Sequence, residues 1–161
     1  MIQLKFVVTE EALEVPSPPE AIDPAVILET AFVMPVSFTV DGVNILGFPG
    51  GATMNLSVVG FAVAAMSAVE RLKSGGCEKI DIASAGDLFL QETSGTVKFW
   101  TTTLKPDVQA PYDETVAAFR AFASEVQRVI EARVPEMRKH PYWPRWFPGR
   151  SFNQWGAHCR S

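Results

Sequence analysis

Apolar and polar residues alternate most cleanly at Val36, Phe38 and Val40, which are interleaved with Ser37 and Thr39. Asp41-Gly42 follows, then the apolar run Val43 to Phe48. Asp-Gly between two such runs predicts a two-residue hairpin, because both central positions need positive φ. Residues 1–8 read as another strand, with Ile2, Leu4 and Phe6 on one face. Three more strands are expected at Glu78–Ala83, Asp87–Glu92 and Thr96–Leu104, separated by a Ser-Ala-Gly turn and by Ser94-Gly95. The threonines Thr101 to Thr103 suit a half-exposed strand.

Helical spacing governs two longer stretches. In residues 56–73, Val58, Phe61, Ala62, Ala65, Val69 and Leu72 mark one face, while Leu56, Val59, Val63 and Met66 make the other side apolar too. A helix greasy nearly all round is buried on most sides. Thr53 or Asn55 is expected to cap its start, and Gly75-Gly76 to end it. In residues 114–134, Val116, Phe119, Phe122 or Ala123, Val126, Ile130 and Val134 line a single face, with Asp113 as the expected cap. Glu114, Arg120, Glu125, Gln127, Arg128 and Glu131 cover the opposite face, the pattern of a helix lying on a sheet. A shorter helix is expected at Pro24–Phe32, with Asp23 as N-cap and Pro24 at its first position. Four prolines make Thr9–Pro24 a surface loop.

Together these elements predict an α+β two-layer sandwich, with a mainly antiparallel sheet of about five to six strands and two long helices. They form one domain over residues 1–137. Residues 138–161 form an aromatic, basic tail packed on it or on a partner.

Composition agrees with one domain. An apolar fraction of 47% is ample for a core, and a chain of this length buries roughly two-thirds of its unfolded surface. Two cysteines, Cys77 and Cys159, are too few for a disulfide framework and fit a reducing compartment. The first ten residues carry no secretory pattern, and the uncharged stretch 42–69 is broken by Pro49, Gly50 and Gly51. The expectation is a cytoplasmic protein that does not bind the membrane.

Charge changes the picture most. Between Lys5 and Arg71 there is no lysine, arginine or histidine, while Glu10, Glu11, Glu14, Glu20, Asp23, Glu29, Asp41 and Glu70 fall in that interval. Residues 1–137 hold nine cations against eighteen acids, a charge of −9; residues 138–161 hold five cations and no acid, +5. A field of one sign raises the local concentration of oppositely charged partners. The overall charge of −4 argues against nucleic acid as the partner.

Catalytic and metal chemistry find little support. Cys77, Cys159, His140 and His158 do not fall at zinc spacing, and no cofactor is expected. The loop Gly47–Gly51 before a helix lacks the Walker lysine and the dinucleotide pattern. Neither histidine is flanked by a nucleophile motif, and Asp81, Asp87 and Glu92 read as solvated turn acids. The tail holds Trp143, Trp146 and Trp155 beside Arg145 and Arg150. Its plain reading is a lid whose rings cover an edge of the core; its functional reading is an interface rich in Trp, Tyr and Arg anchors.

The arrangement of hairpin Val36–Phe48, buried helix, three strands and the helix ending Val129-Ile130-Glu131-Ala132-Arg133-Val134 resembles bacterial immunity proteins that neutralise polymorphic toxins. The resemblance implies a non-enzymatic protein that blocks a basic toxin, such as a nuclease, at its active site. Glu10, Glu11, Glu14, Glu20, Asp23 and Glu29 would then imitate phosphates, with Trp100 as a central anchor. Two other readings stay open. One is a small-molecule enzyme or carrier with a pocket between sheet and helices. The other is an assembly module, or a homodimer, using the aromatic tail.

Overall fold

A computed structural model describes residues 1–46, 53–73, 75–82, 86–102 and 108–148. The Gly47–Gly51 loop, Ser84-Ala85, Thr103-Leu104 and the segment with Trp155, His158 and Cys159 lie outside them.

The fold is α+β, with two antiparallel four-stranded sheets and two long helices. In the first sheet β2 (Val33–Val40) is central. It pairs on one side with β1 (Ile2–Phe6), from Ile2↔Val40 to Phe6↔Val36. On the other side β3 (Val43–Asn44) meets its C-terminal end, and β4 (Met54–Ser57) meets its N-terminal end. Asp41 and Gly42 both have positive φ, +48° and +80°, as the hairpin expectation requires.

The second sheet is a meander of β5 (Gly76–Asp81), β6 (Asp87–Thr93), β7 (Thr96–Thr101) and β8 (Val108–Pro111). Ser94 and Gly95 repeat the positive-φ turn at +53° and +82°. The remaining elements are α1 (Pro24–Glu29), α2 (Val58–Leu72), α3 (Tyr112–Arg133) and the short α4 (Trp143–Trp146).

Each sheet turns one face inward. Met34, Val36, Phe38 and Val40 are buried from the first; Ile80, Leu88, Leu90, Val97, Phe99, Thr101 and Ala110 from the second. Phenylalanines tie sheets and helices together. Phe38 meets Phe99 edge-on at 5.5 Å and Phe119 at 5.8 Å, and Phe122 meets Phe6 and Phe61 at 5.5 and 5.6 Å. Edge-to-face geometry places the positive ring edge on a negative face, which adds to the area buried.

Four local differences from the sequence pattern have physical reasons. The described strands number eight in two sheets, because Met54–Ser57 and Val108–Pro111 also pair. Leu56 fits both a helical and an alternating period, so the first two residues expected of the buried helix, Leu56 and Ser57, are in fact the end of β4. Ser57 therefore caps α2, its Oγ accepting from Gly60 N–H at 3.2 Å, in place of Thr53 or Asn55. Pro111 stands at the cap of α3 without a side-chain bond; Asp113 and Glu114 instead occupy the first turn, where the helix dipole favours them. Thr101 is buried, because it continues the inward register of Val97 and Phe99.

Candidate binding site

The acidic segment is held in place by its own apolar residues. Ala12, Leu13 and Val15 pack on the core from a 3-10 turn at Glu11–Leu13, and Ile22 is buried just after a second turn at Pro19–Ala21. Asp23 accepts from Ala25 N–H at 2.8 Å, so the expected cap of α1 forms and Pro24 sits at its first position. α1 then closes against α2. A side chain at Gly60 would lie 1.9 Å from the Leu28 carbonyl oxygen, so only glycine permits this approach. Ser57 locks the same junction, donating from Oγ to Ile27 O at 2.9 Å.

The six carboxylates singled out in this segment separate into two groups. Glu10 pairs with Arg133, Asp23 is used as the cap, and Glu20 is half-buried. Glu11, Glu14 and Glu29 are exposed, and among the described residues no cation reaches ion-pair distance of any of them. Most other acids differ. Glu70 is paired with Lys73, Glu78 with Arg71, Asp87 with Lys79, Glu125 with Arg128 and Glu131 with Arg138.

Two surface grooves flank α1. The first, about 340 Å³, is lined by Glu11, Glu14, Val15, Val26, Thr30 and Val33, among others. The second, about 540 Å³, runs between α1, β4, α2 and the end of β5, and its lining includes Leu28, Phe61, Val63 and Ala64 together with Glu29 and Asp81. Val26 and Val33 are unusually exposed for valine, at 40% and 38%. The second groove exposes mainly apolar surface and the first mainly polar surface, with Glu11, Glu14 and Glu29 among the residues lining them. This chemistry suits a partner carrying cations beside apolar side chains.

Trp100 is elsewhere. It lies on the outward face of the second sheet, stacked on Phe89 at 5.3 Å and 10°, and lines neither groove. Among the described residues no cation reaches ion-pair distance of Asp113 or Glu136 either, and these two line neither groove.

The described part of the C-terminal tail folds onto its own body. Met137, His140, Trp143, Trp146 and Phe147 are buried. The His140 ring accepts at Nδ1 from Tyr142 N–H at 3.2 Å, which leaves Nε2–H to donate to Ile22 O at 2.8 Å. Trp143 donates from Nε1 to Glu131 at 3.0 Å, and Arg138 pairs with the same carboxylate at 3.3 Å. Burial alone would raise the Glu131 carboxyl. Hydrogen bonds from Gln127 and Trp143, with the Arg138 charge, outweigh it and hold the carboxyl below its ordinary value. Arg145 sits over the Tyr142 ring at 5.3 Å. None of these basic residues covers Glu11, Glu14 or Glu29.

Among the described residues no group of three or more His, Cys, Asp or Glu could hold a metal ion, and no helix is long and apolar enough to cross a membrane. The turn acids do local work: Asp87 pairs with Lys79, and Glu92 accepts from Gly95 N–H at 2.6 Å. Cys77 is exposed on β5. Comparison with protein-family models, curated proteins and solved structures finds no match to this chain.

The grooves themselves had no signature in the sequence. The residues that build them, such as Leu28, Gly60 and Ala64, are small or apolar positions that look like ordinary core. The one available signal was a glycine inside an otherwise strong helical run, which marks a close approach.

Proposed function

We propose that this protein is a non-enzymatic binding protein that captures a cationic protein partner on the acidic face around α1. The specific form we favour is an immunity protein that covers the basic active site of a toxin. The observation that carries this reading is the set Glu11, Glu14 and Glu29, exposed and without ion pairs among the described residues, lining the two grooves that flank α1. Carboxylates in such positions steer a basic surface into contact, and the exposed valines supply area that excludes water once contact is made. Glu10 and Asp23 serve this face indirectly, Glu10 by its ion pair with Arg133 and Asp23 by capping α1. Trp100 stands apart from it and is a separate anchor in this reading.

The tail argues against the assembly-module reading over its described length. Trp143 and Trp146 bury their rings in their own chain, so a neighbouring subunit cannot use them. The groove between α1 and α2 favours one second reading, a carrier of a small cationic ligand, because the exposed Glu29 lines a mainly apolar cleft.

The test is capture of the partner from the native host with the wild-type chain and with E11K/E14K/E29K. A basic partner retained at low salt by wild type, and weakened at least tenfold by the triple variant, supports the reading. Equal retention by both chains, or an acidic partner, overturns it.

A further inference from the structure

We propose that the outer edge of β1, with the groove between it and α3, is a docking site for an extended segment of a partner protein. The segment joins the first sheet as an added strand, with apolar residues at every second position. This site is separate from the acidic face around α1 and does not depend on it.

The phase of hydrogen bonding along β1 decides which groups are open. In an antiparallel pair, directly opposed residues alternate between bonded and unbonded pairs. Asp41 N–H donates to Met1 O, and Val7 N–H donates to Pro35 O, each at 2.9 Å. The positions bonded toward β2 are therefore the odd ones, with Gln3 opposite Thr39 and Lys5 opposite Ser37 between these ends. Ile2, Leu4 and Phe6 turn their N–H and C=O groups the other way, where β1 meets no strand among the described residues. Ile2 bears this out, because its N–H donates to the Glu114 side chain of α3 at 2.7 Å. A carboxylate already stands there as the acceptor that an added strand would supply. Leu4 and Phe6 have no such main-chain partner on that side among the described residues.

α3 runs beside this edge. Glu114 stands at Ile2, and Ala121, Phe122 and Glu125 share a groove with Leu4, Phe6 and Val8. From Glu114 to Glu125 the helix advances about 16 Å, and from Ile2 to Val8 the strand advances about 20 Å. The two therefore keep company along the strand. The groove holds about 310 Å³ and exposes mainly apolar surface, with Phe6 and Phe122 edge-on at 5.5 Å in its lining. A strand bonded to Leu4 and Phe6 would turn every second side chain toward this groove, as β1 does.

Charge sets the positions in between. Lys5 is exposed, and among the described residues no acid reaches ion-pair distance of it. An acid opposite Lys5 on the added strand is favoured, and a lysine there is disfavoured. Glu125 on the groove side is already paired with Arg128. A second copy of this chain fits less well. Pairing two β1 edges about a two-fold axis would bring the second α3 to the same side of the sheet, where both helices compete for one groove. A lone extended segment brings no helix.

The experiment adds a capped heptapeptide to the isotope-labelled full chain and follows amide shifts and hydrogen exchange by NMR. The peptide alternates valine with threonine and carries glutamate at its centre. A second version has lysine for glutamate, and a third keeps the first sequence with N-methylated backbone amides. In the free chain the Leu4 and Phe6 amides should exchange at least about tenfold faster than those of Gln3 and Lys5. Saturation with the first peptide should slow them at least about tenfold, with shifts at Val8, Phe122 and Glu125. The lysine version should bind about twofold to fivefold more weakly, and K5E should reverse that order. A121W, at an exposed position of the groove, should abolish binding, and thermal melts check that both variants stay folded. Equal binding by the N-methylated peptide, or shifts without slowed exchange at Leu4 and Phe6, would overturn strand addition. No binding by any peptide, or unchanged binding by A121W, would overturn the site. Exchange at Leu4 and Phe6 that slows as the free chain is concentrated, with a doubled mass, would assign the edge to a second copy instead.

Discussion

Two proline-rich, charged segments of this chain meet different fates. The acidic segment 10–33 leaves Glu11, Glu14 and Glu29 in solvent, whereas the basic segment 135–147 buries Met137, His140, Trp143, Trp146 and Phe147. Charge alone would have sent both outward. What separates them is aromatic content: rings of about 150–250 Å² repay the ordering of a short segment, and the acidic segment, held by aliphatic residues such as Ile22 and Ile27, has a single ring, Phe32. The tail is therefore held mainly by packing; of its cations, Arg145 lies over the Tyr142 ring and Arg138 pairs with Glu131 of α3, away from the acidic segment. Among the described residues, the cation that reaches across to the acidic segment is Arg133 at the end of α3, which pairs with Glu10.

The largest expected effect tests that packing. Trp143→Ala should cost about 3–5 kcal/mol, the usual penalty for a buried tryptophan, read as a fall in the urea midpoint. A change under about 1 kcal/mol would mean that the tail is not part of the core. Next in size is His140→Ala, which leaves Ile22 O and Tyr142 N without their partner; a loss of about 1–3 kcal/mol is expected. Because His140 joins the tail to the acidic segment, hydrogen exchange should rise at Ile22 as well as at Tyr142. Exchange that rises only in the tail would break the proposed link.

A smaller effect concerns Glu131, whose carboxyl lies below its ordinary range in the folded chain. A depressed carboxyl contributes stability that is complete above the unfolded pKa and is lost as pH falls through the folded one. Wild type should therefore exceed E131Q by about 1 kcal/mol at neutral pH, and the gap should close as pH drops below about 4. A gap that persists in acid would assign the difference to packing. Least of all, E11Q/E14Q should leave stability within about 0.5 kcal/mol of wild type, since exposed carboxylates without partners contribute little.

Local chemistry was the legible part of this sequence. Asp41-Gly42 and Ser94-Gly95 set their turns, Asp23-Pro24 started α1, and the helical spacing of Phe119, Val126 and Ile130 found the buried face of α3. What could not be read was long-range. β4 is too short to show a period and gains its identity only by pairing with β2. The division into two sheets depends on which strands find each other across the core. The site divided the same way. Composition exposed an acidic field, but only tertiary contacts reveal that Glu10 is spent on Arg133 while Glu11, Glu14 and Glu29 remain open. Trp100 carries no mark in the sequence that tells which face of its sheet it occupies relative to those acids.

Carboxyl footprinting, which couples an amine to accessible acids and locates the products by mass spectrometry, reads the openness of the acidic face residue by residue. Glu11, Glu14 and Glu29 should react faster than Glu10 and Glu131 in the free chain, and should be protected selectively once the captured partner is added. Uniform reactivity across all five, or protection that falls elsewhere on the molecule, would contradict an open acidic face that binds the partner.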